Sequence, residues 1–286
     1  MTIRDLGYKP YEGARLPPSN NSWVMLRQGL ARAWASWLVK IAVFLSIFPP
    51  LIACLALGAG RYFAAQMGQA EETVDMGSSA LREMFRYETW LVVSLVTLGA
   101  GAAAIAEDLT FKAFQFYFSK PVTPVQYLIG RVSAIAILLF AMTFLGGLFV
   151  VLIAGVTAQP EHRFEDFGLL APMLVYSLVI SLFMASASVS VSCLSPSRAL
   201  TMSAWGLLFV VPHVIASIVD TIANNDFPWL YLASFTGLLG TVADALFKVE
   251  TETDLEWFHA APILLGLAVL GVWGAHERLR RAEVVK

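Results

Sequence analysis

Six separate apolar runs, each about as long as a bilayer is thick, constrain this chain more than any other feature. A hydrocarbon core of about 30 Å takes roughly 20 apolar residues per helix. The sequence supplies such runs at 37–60, 89–106, 126–155, 168–194, 199–220 and 259–276. In lipid, every backbone N–H and C=O must be satisfied inside the chain, so runs of this length are expected as helices. Composition agrees: 58% of the residues are hydrophobic and 14% charged, where a soluble domain carries about a quarter charged residues. The expected fold class is all-α and polytopic. Residues 37–276 form six transmembrane helices, preceded by a tail and interfacial helix over 1–36 and followed by a tail over 277–286.

Charge orients the bundle. The mostly polar residues 1–36 precede the first run, whereas a cleavable signal peptide reaches its apolar core sooner. The first span is therefore expected to be retained, with a cytoplasmic amino terminus. The inner segments are then 1–36, 107–125, 195–198 and 277–286. Together with the adjoining span ends they hold Arg4, Lys9, Arg15, Arg27, Arg32, Lys40, Lys112, Lys120, Arg131, Arg198, Arg278, Arg280, Arg281 and Lys286, fourteen of the 19 basic residues. Arg61, Arg82, Arg86, Arg163 and Lys248 are left for the outer side. This is the positive-inside asymmetry, and it puts both termini in the cytoplasm. Ser195-Pro196-Ser197-Arg198 reads as a tight turn, since proline interrupts a helix and 168–220 is too long for one crossing. Cys54 and Cys193 lie within apolar runs without metal-ligand or disulfide spacing, and read as small packed residues.

Two elements outside the spans are amphipathic. Over 22–36, Trp23, Leu26, Leu30 and Trp34 form one helical stripe, with Gln28, Arg32 and Ser36 opposite. Tryptophan and basic residues just before a span describe a helix in the headgroup plane. Treated as a helix, 107–120 puts Phe111, Phe114 and Phe118 on one face, with Tyr117 beside them. Asp108, Lys112, Gln115 and Ser119 lie on another face, and Asp108–Lys112 is a favourable i,i+4 pair. Phe116 projects from the polar side, and Pro121 ends the helix. Partner docking and packing on the membrane surface both fit this pattern.

The order of residues through this element resembles the ABC-2-type permease family of ABC transporters, in its NosY-like six-span form. Glu107-Asp108 ends the second span; Ser119-Lys120-Pro121-Val122-Thr123 follows the aromatic helix; Gln126-Tyr127-Leu128-Ile129-Gly130-Arg131 enters the third span. Two positions depart from the family pattern: Ala113 where a glycine is common, and Pro124 where a basic residue often follows. A second, looser match is Trp229-Leu230-Tyr231-Leu232-Ala233-Ser234-Phe235 with Leu238-Leu239 and Ala245-Leu246-Phe247 before the last span. The resemblance implies a homodimeric exporter subunit in a bacterial inner membrane. It also implies cytoplasmic coupling helices, 107–120 and 22–36, that dock a separate ATPase. Glu107, Asp108, Lys112, Gln115, Phe116 and Ser119 would form the contact, with Phe116 as its buried anchor. ATP and Mg would sit on that partner, and the chain would hold no cofactor or metal, bind no nucleic acid and take membrane lipids and an accessory or substrate protein as further partners.

The sequence carries no G-x-x-x-x-G-K-[ST], so the chain has no phosphate-cradling loop of its own. Nor does it carry HExxH or GxSxG. Ser181, Ser188 and Ser192 share one helical face, where packing, path lining and catalysis are alternatives. His213 follows Pro212 and reads as a hydrogen-bonded structural histidine or a path residue. An intramembrane enzyme and a secondary transporter are the alternatives, but span interiors almost lack Asp and Glu, and no internal repeat is visible. Residues 61–88 read as a solvated outer excursion, and 221–258 as two short re-entrant or interfacial helices. The path is expected at the dimer interface, between spans one, two, four and five, with lipid-like cargo. Topology is checked by thiol labelling in sealed membranes on a cysteine-free background. Arg280→Cys should react only with permeant reagents, and Ala70→Cys with impermeant reagent added outside.

Overall fold

A computed structural model describes residues 21–68, 76–117, 122–158, 163–223, 227–249 and 255–284. Every regular element among them is helical. Six helices are long and apolar enough to cross a membrane: Trp37–Met67, Met76–Thr110, Pro124–Thr157, Asp166–Ser192, Arg198–Ile222 and Trp257–Arg281. The chain is a multi-pass membrane protein with the six spans read from its sequence. These helices run from 25 to 35 residues, against about 20 for a crossing, so their ends stand beyond the apolar runs.

Ion pairs show which ends meet. Arg61 of span one bonds the Ala154 carbonyl (2.5 Å) and Thr157 Oγ1 (2.8 Å) of span three and Asp166 Oδ2 (2.7 Å) of span four. At the opposite end, Arg198 of span five reaches Glu107 Oε1 of span two at 2.7 Å. The second end also carries the amino-terminal helix Asn21–Ala35 and Arg131 and is called the basic end below; the first is the far end. Span two is the central helix, 72% buried over its apolar window, against 17% for spans five and six.

Two spans are broken, and in span two a side chain of a neighbouring span takes up the freed backbone. Span one divides into Trp37–Leu45 and Phe48–Met67, because Pro49 and Pro50 cannot donate to the preceding turn. Span two is wider-wound at Thr89–Val93 and Thr97–Gly101, then leaves the helix at Ala102–Ile105 and restarts at Ala106. The amides of Ile105 and Ala106 both donate to Ser192 Oγ, at 2.8 and 3.0 Å. A buried orphan amide costs about 1–3 kcal/mol, so one hydroxyl from span four makes the break tolerable. Ser188 packs against Gly101, where a Cβ would strike its side chain. The serine face of span four therefore closes the bundle against span two.

The amino-terminal helix packs on the bundle through the face opposite its tryptophans. Met25, Gly29 and Ala33 form its buried face, while Trp23 and Trp34 are exposed. Close approach explains the choice. A Cβ on Gly29 would lie 2.7 Å from Ala134 Cβ, and one on Gly130 would strike Met25 and the backbone of Ser22 and Leu26. The small residues seat this helix on span three, which leaves the tryptophans outward.

The outer segments also differ from expectation. Met76–Glu88 is not a solvated excursion: it extends span two and buries Leu81, Met84, Phe85 and Glu88. Residues 69–75 lie outside the described set. The 221–258 stretch contains a 3-10 turn, Pro228–Ala233, and the helix Phe235–Phe247, which buries Leu238, Leu239, Val242 and Phe247. Thirteen residues rise only about 20 Å, too short for a crossing. Asp244 on this helix holds Arg82 Nε at 2.7 Å. Turn Ser195–Ser197 is confirmed, with Ser197 capping span five through the Leu200 amide. Replacing the shared acceptor, Ser192→Ala, should cost about 2–6 kcal/mol, two orphan amides, measured by denaturation in detergent; Ser188→Ala should cost clearly less.

Candidate functional site

The basic end of the bundle is organised around one carboxylate. Asp108, in the short helix Ala106–Thr110, accepts Arg32 Nη1 at 2.8 Å, Arg131 Nη2 at 2.5 Å and the Tyr127 hydroxyl at 2.5 Å. Three elements thus meet on two oxygens: the amino-terminal helix, the end of span two and the start of span three. Arg131 is only 2% exposed, and its guanidinium also lies over the Tyr127 ring, 5.3 Å from the centroid. Such charge-assisted bonds are roughly twice as strong as neutral ones. Removing one partner strands a buried charge.

The element following Asp108 is not one helix. Ala106–Thr110 ends in a left-handed residue, Lys112 at φ 52°, and a second turn of helix runs Phe114–Tyr117. The Ala113 amide donates to the Asp108 carbonyl at 2.9 Å and the Lys112 amide to the Leu109 carbonyl at 3.3 Å. This is a Schellman stop with lysine where glycine is usual. The Thr110 hydroxyl also donates to the Pro196 carbonyl, tying the stop to the span four–five turn. Two consequences run against the continuous-helix reading. Asp108 does not pair with Lys112 and is buried, so it cannot supply a surface contact. Phe111 and Phe114 part company: Phe111 is exposed, while Phe114 is buried with its ring 5.3 Å from that of Tyr127. Glu107 remains accessible and pairs with Arg198. Phe118 and Ser119, and the side chains of Gln115 and Phe116, lie outside the described residues.

A cavity of about 270 Å³ opens beside this network, between the amino-terminal helix and the basic ends of spans one, two, three and five. Arg32, Arg131, Arg198 and Glu107 line its polar side, with Trp37 and the small residues of span two around the remainder. Sequence reasoning missed it. The signal was present as the Gly99–Ala104 run of small residues facing arginines on three other elements, but only the tertiary arrangement brings them together.

The residues read as path candidates sit elsewhere. Ser181 and Ser188 are buried and return their hydroxyls to the Leu178 and Ala185 carbonyls (3.0 and 3.2 Å), and Ser192 serves the broken backbone of span two. In this structure all three take part in helix packing. His213 is half-buried, its Nδ1 2.9 Å from Thr236 Oγ1 and its ring beside Trp90 and Tyr231. That is the hydrogen-bonded structural environment. Tyr231, in the far-end 3-10 turn, has its hydroxyl pKa raised by burial first and by the Asp220 charge second. Glu88, read from sequence as part of the outer connection, is fully buried, and neither oxygen has a partner among the described residues. A Cβ on Gly146 would stand 2.7 Å from its Oε1.

No group of three or more metal-binding side chains occurs among the described residues. A scan against models of known protein families found no match, and no curated protein is significantly similar in sequence. The network itself can be tested. Asp108→Asn should destabilise the protein by about 3–5 kcal/mol, the usual cost of breaking a buried pair. The double variant Asp108→Leu with Arg131→Leu should recover most of that loss in the same detergent unfolding measurement.

Proposed function

We propose that this chain is the membrane-spanning permease subunit of an ATP-driven exporter of the ABC-2 type. On this reading two copies form a homodimer, and each is moved by a separate ATPase subunit that carries ATP and Mg. The chain itself is not an enzyme. Fourteen of 19 basic residues on one side favour the basic end as the cytoplasmic one, with both termini there, and the resemblance implies a bacterial inner membrane.

The observation that carries the reading is the Asp108 network. A load applied to the short helices at 106–117 passes directly to the amino-terminal helix through Arg32 and to span three through Arg131 and Tyr127. Span five receives it through Glu107 and Arg198. A polar loop lying passively on a membrane surface has no need of a buried ion network tying it to three other elements. A coupling element that must move spans as a unit does. Glu107, Lys112, Gln115, Phe116 and Ser119 then form the docking contact, while Asp108 works inside as the joint. Spans one and five, with long exposed apolar faces at Phe44, Leu51, Leu55, Leu207, Val211 and Ile218, supply the dimer surface and flank the path. Their lining favours lipid-like or amphipathic cargo, or mechanical work on a partner protein.

On this reading a stand-alone P-loop ATPase is expected to be encoded beside this chain, and reconstitution with that subunit is the test. The two should co-purify, and Phe116→Ala should reduce stimulated ATP hydrolysis roughly tenfold, as loss of an interface anchor does. Unchanged coupling would overturn the docking assignment, and ion-gradient transport by the purified chain alone would overturn the exporter reading.

A further inference from the structure

The charged side chains that join the helices at the basic end also line an open cavity there, which their ion pairs leave unfilled. Three guanidinium groups and one carboxylate line a space of about 270 Å³ whose remaining wall is mainly glycine and alanine. Close-packed interiors leave few voids larger than a water molecule, yet this space stays open beside three closed ion pairs. Each arginine spends one N–H on a carboxylate: Arg32 and Arg131 on Asp108, Arg198 on Glu107. A guanidinium has about five donors in a fixed fork suited to phosphate. Arg131 Nε is buried without any partner, and Arg198 is 50% exposed in its side chain.

The cavity's depth identifies its surroundings. Trp37 lies at its rim as the first residue of span one and is 73% exposed. Trp34 and Trp23 are also exposed on the amino-terminal helix that forms one wall of the cavity. Exposed tryptophans at span ends sit at headgroup level. The site therefore faces the layer where phosphates are most concentrated, beside acyl chains rather than bulk water. Its volume falls below the roughly 300 Å³ at which pockets begin to enclose drug-sized ligands. A headgroup fits with its acyl chains remaining outside against Trp37; a whole lipid does not.

We infer that this cavity binds the headgroup of a single phospholipid, its phosphate among Arg32, Arg131 and Arg198 and the ammonium of a phosphoethanolamine toward Glu107. The pairing of signs selects the ligand. Three cations hold the phosphodiester, and the one lining carboxylate opposes a second negative charge while accepting an ammonium. The inference rests on the membrane placement and the cavity, not on an ATPase partner, so it stands or falls separately from the exporter reading.

Native mass spectrometry of the delipidated full-length protein, titrated with lipid, tests it. Phosphatidylethanolamine should add at one high-affinity site per chain, roughly tenfold tighter than phosphatidylglycerol, the scale of one charge-assisted contact. Arg198→Gln removes an exposed arginine that the fold does not bury, and should weaken that site by a similar factor. Ala103→Leu, which fills the cavity, should abolish it. Arg280→Gln, a basic residue of span six outside the cavity lining, should leave it unchanged. The inference is overturned if Arg198→Gln and Ala103→Leu both bind as the parent does. Equal affinity for phosphatidylglycerol overturns the Glu107–ammonium assignment, and soluble glycerophosphoethanolamine binding as tightly as the lipid overturns a membrane source.

Discussion

The geometry of the basic end depends on a single carboxylate. Asp108 has two oxygens and satisfies two arginines and a tyrosine with them. The stoichiometry matters, because two cations share one anion and the cluster keeps a net positive charge. The neighbouring Glu107–Arg198 pair is neutral by itself and leaves that charge in place. Burying such a group is costly, and a buried ion pair by itself is weak support for stability. What the arrangement supplies is position. No one of the amino-terminal helix, the end of span two and the start of span three can shift without breaking a bond that the low-dielectric surroundings make expensive to lose.

The same accounting of polar groups governs the middle of the bundle. Span two gives up regular hydrogen bonding at Ala102–Ile105, directly before the helix that carries Asp108. Lipid could not accept the exposed amides; Ser192 of span four does. The break lets the chain change direction so that Asp108 points inward between Arg32 and Arg131. It also leaves Gly99–Ala104 with little side-chain volume, and this small-residue wall keeps the neighbouring cavity open. Ion network, helix break and cavity are therefore one construction. At the far end Arg61 plays the corresponding part, joining spans one, three and four.

Much of this was legible in the chain and some was not, for physical reasons. Span number and the four-residue turn at 195–198 follow from bilayer thickness and proline chemistry, which act locally. The Pro49–Pro50 break follows from the same chemistry. The protein-facing side of the amino-terminal helix was not legible from its Trp–Leu stripe, whose tryptophans face outward. In lipid, small residues drive close packing, so Gly29 and Ala33 rather than Trp23 and Trp34 mark the protein side. The 107–120 element was read as one amphipathic helix because nothing in its composition announces a stop; Lys112 adopts a left-handed conformation that glycine would have signalled. Asp108 looked like a surface residue at i,i+4 from Lys112, and its true partners stand far off in sequence at Arg32 and Arg131. Glu88 lay just outside the apolar run, so its burial could not be seen without Gly146 beside it.

The distribution of these contacts defines which parts move together. The amino-terminal helix, the basic end of span two and span three form one block, held by buried charge and backbone-close packing at Gly29 and Gly130. Span five is attached more lightly. Its polar links to the block include the half-exposed Arg198–Glu107 pair and the bond from Trp205 Nε1 to Thr97 Oγ1 at 3.0 Å. The first is of a class worth about 0–1 kcal/mol and the second about 0.5–1.5 kcal/mol. Trp205 also stacks on Phe235, so span five is joined laterally to the short far-end helix. On the proposed reading, a force entering at 106–117 would act on that block first and reach span five only through these lighter contacts. Span five shares with span six the lowest burial of the six, 17% of its apolar window, so the helix most lightly tied to the block also presents a largely open apolar face.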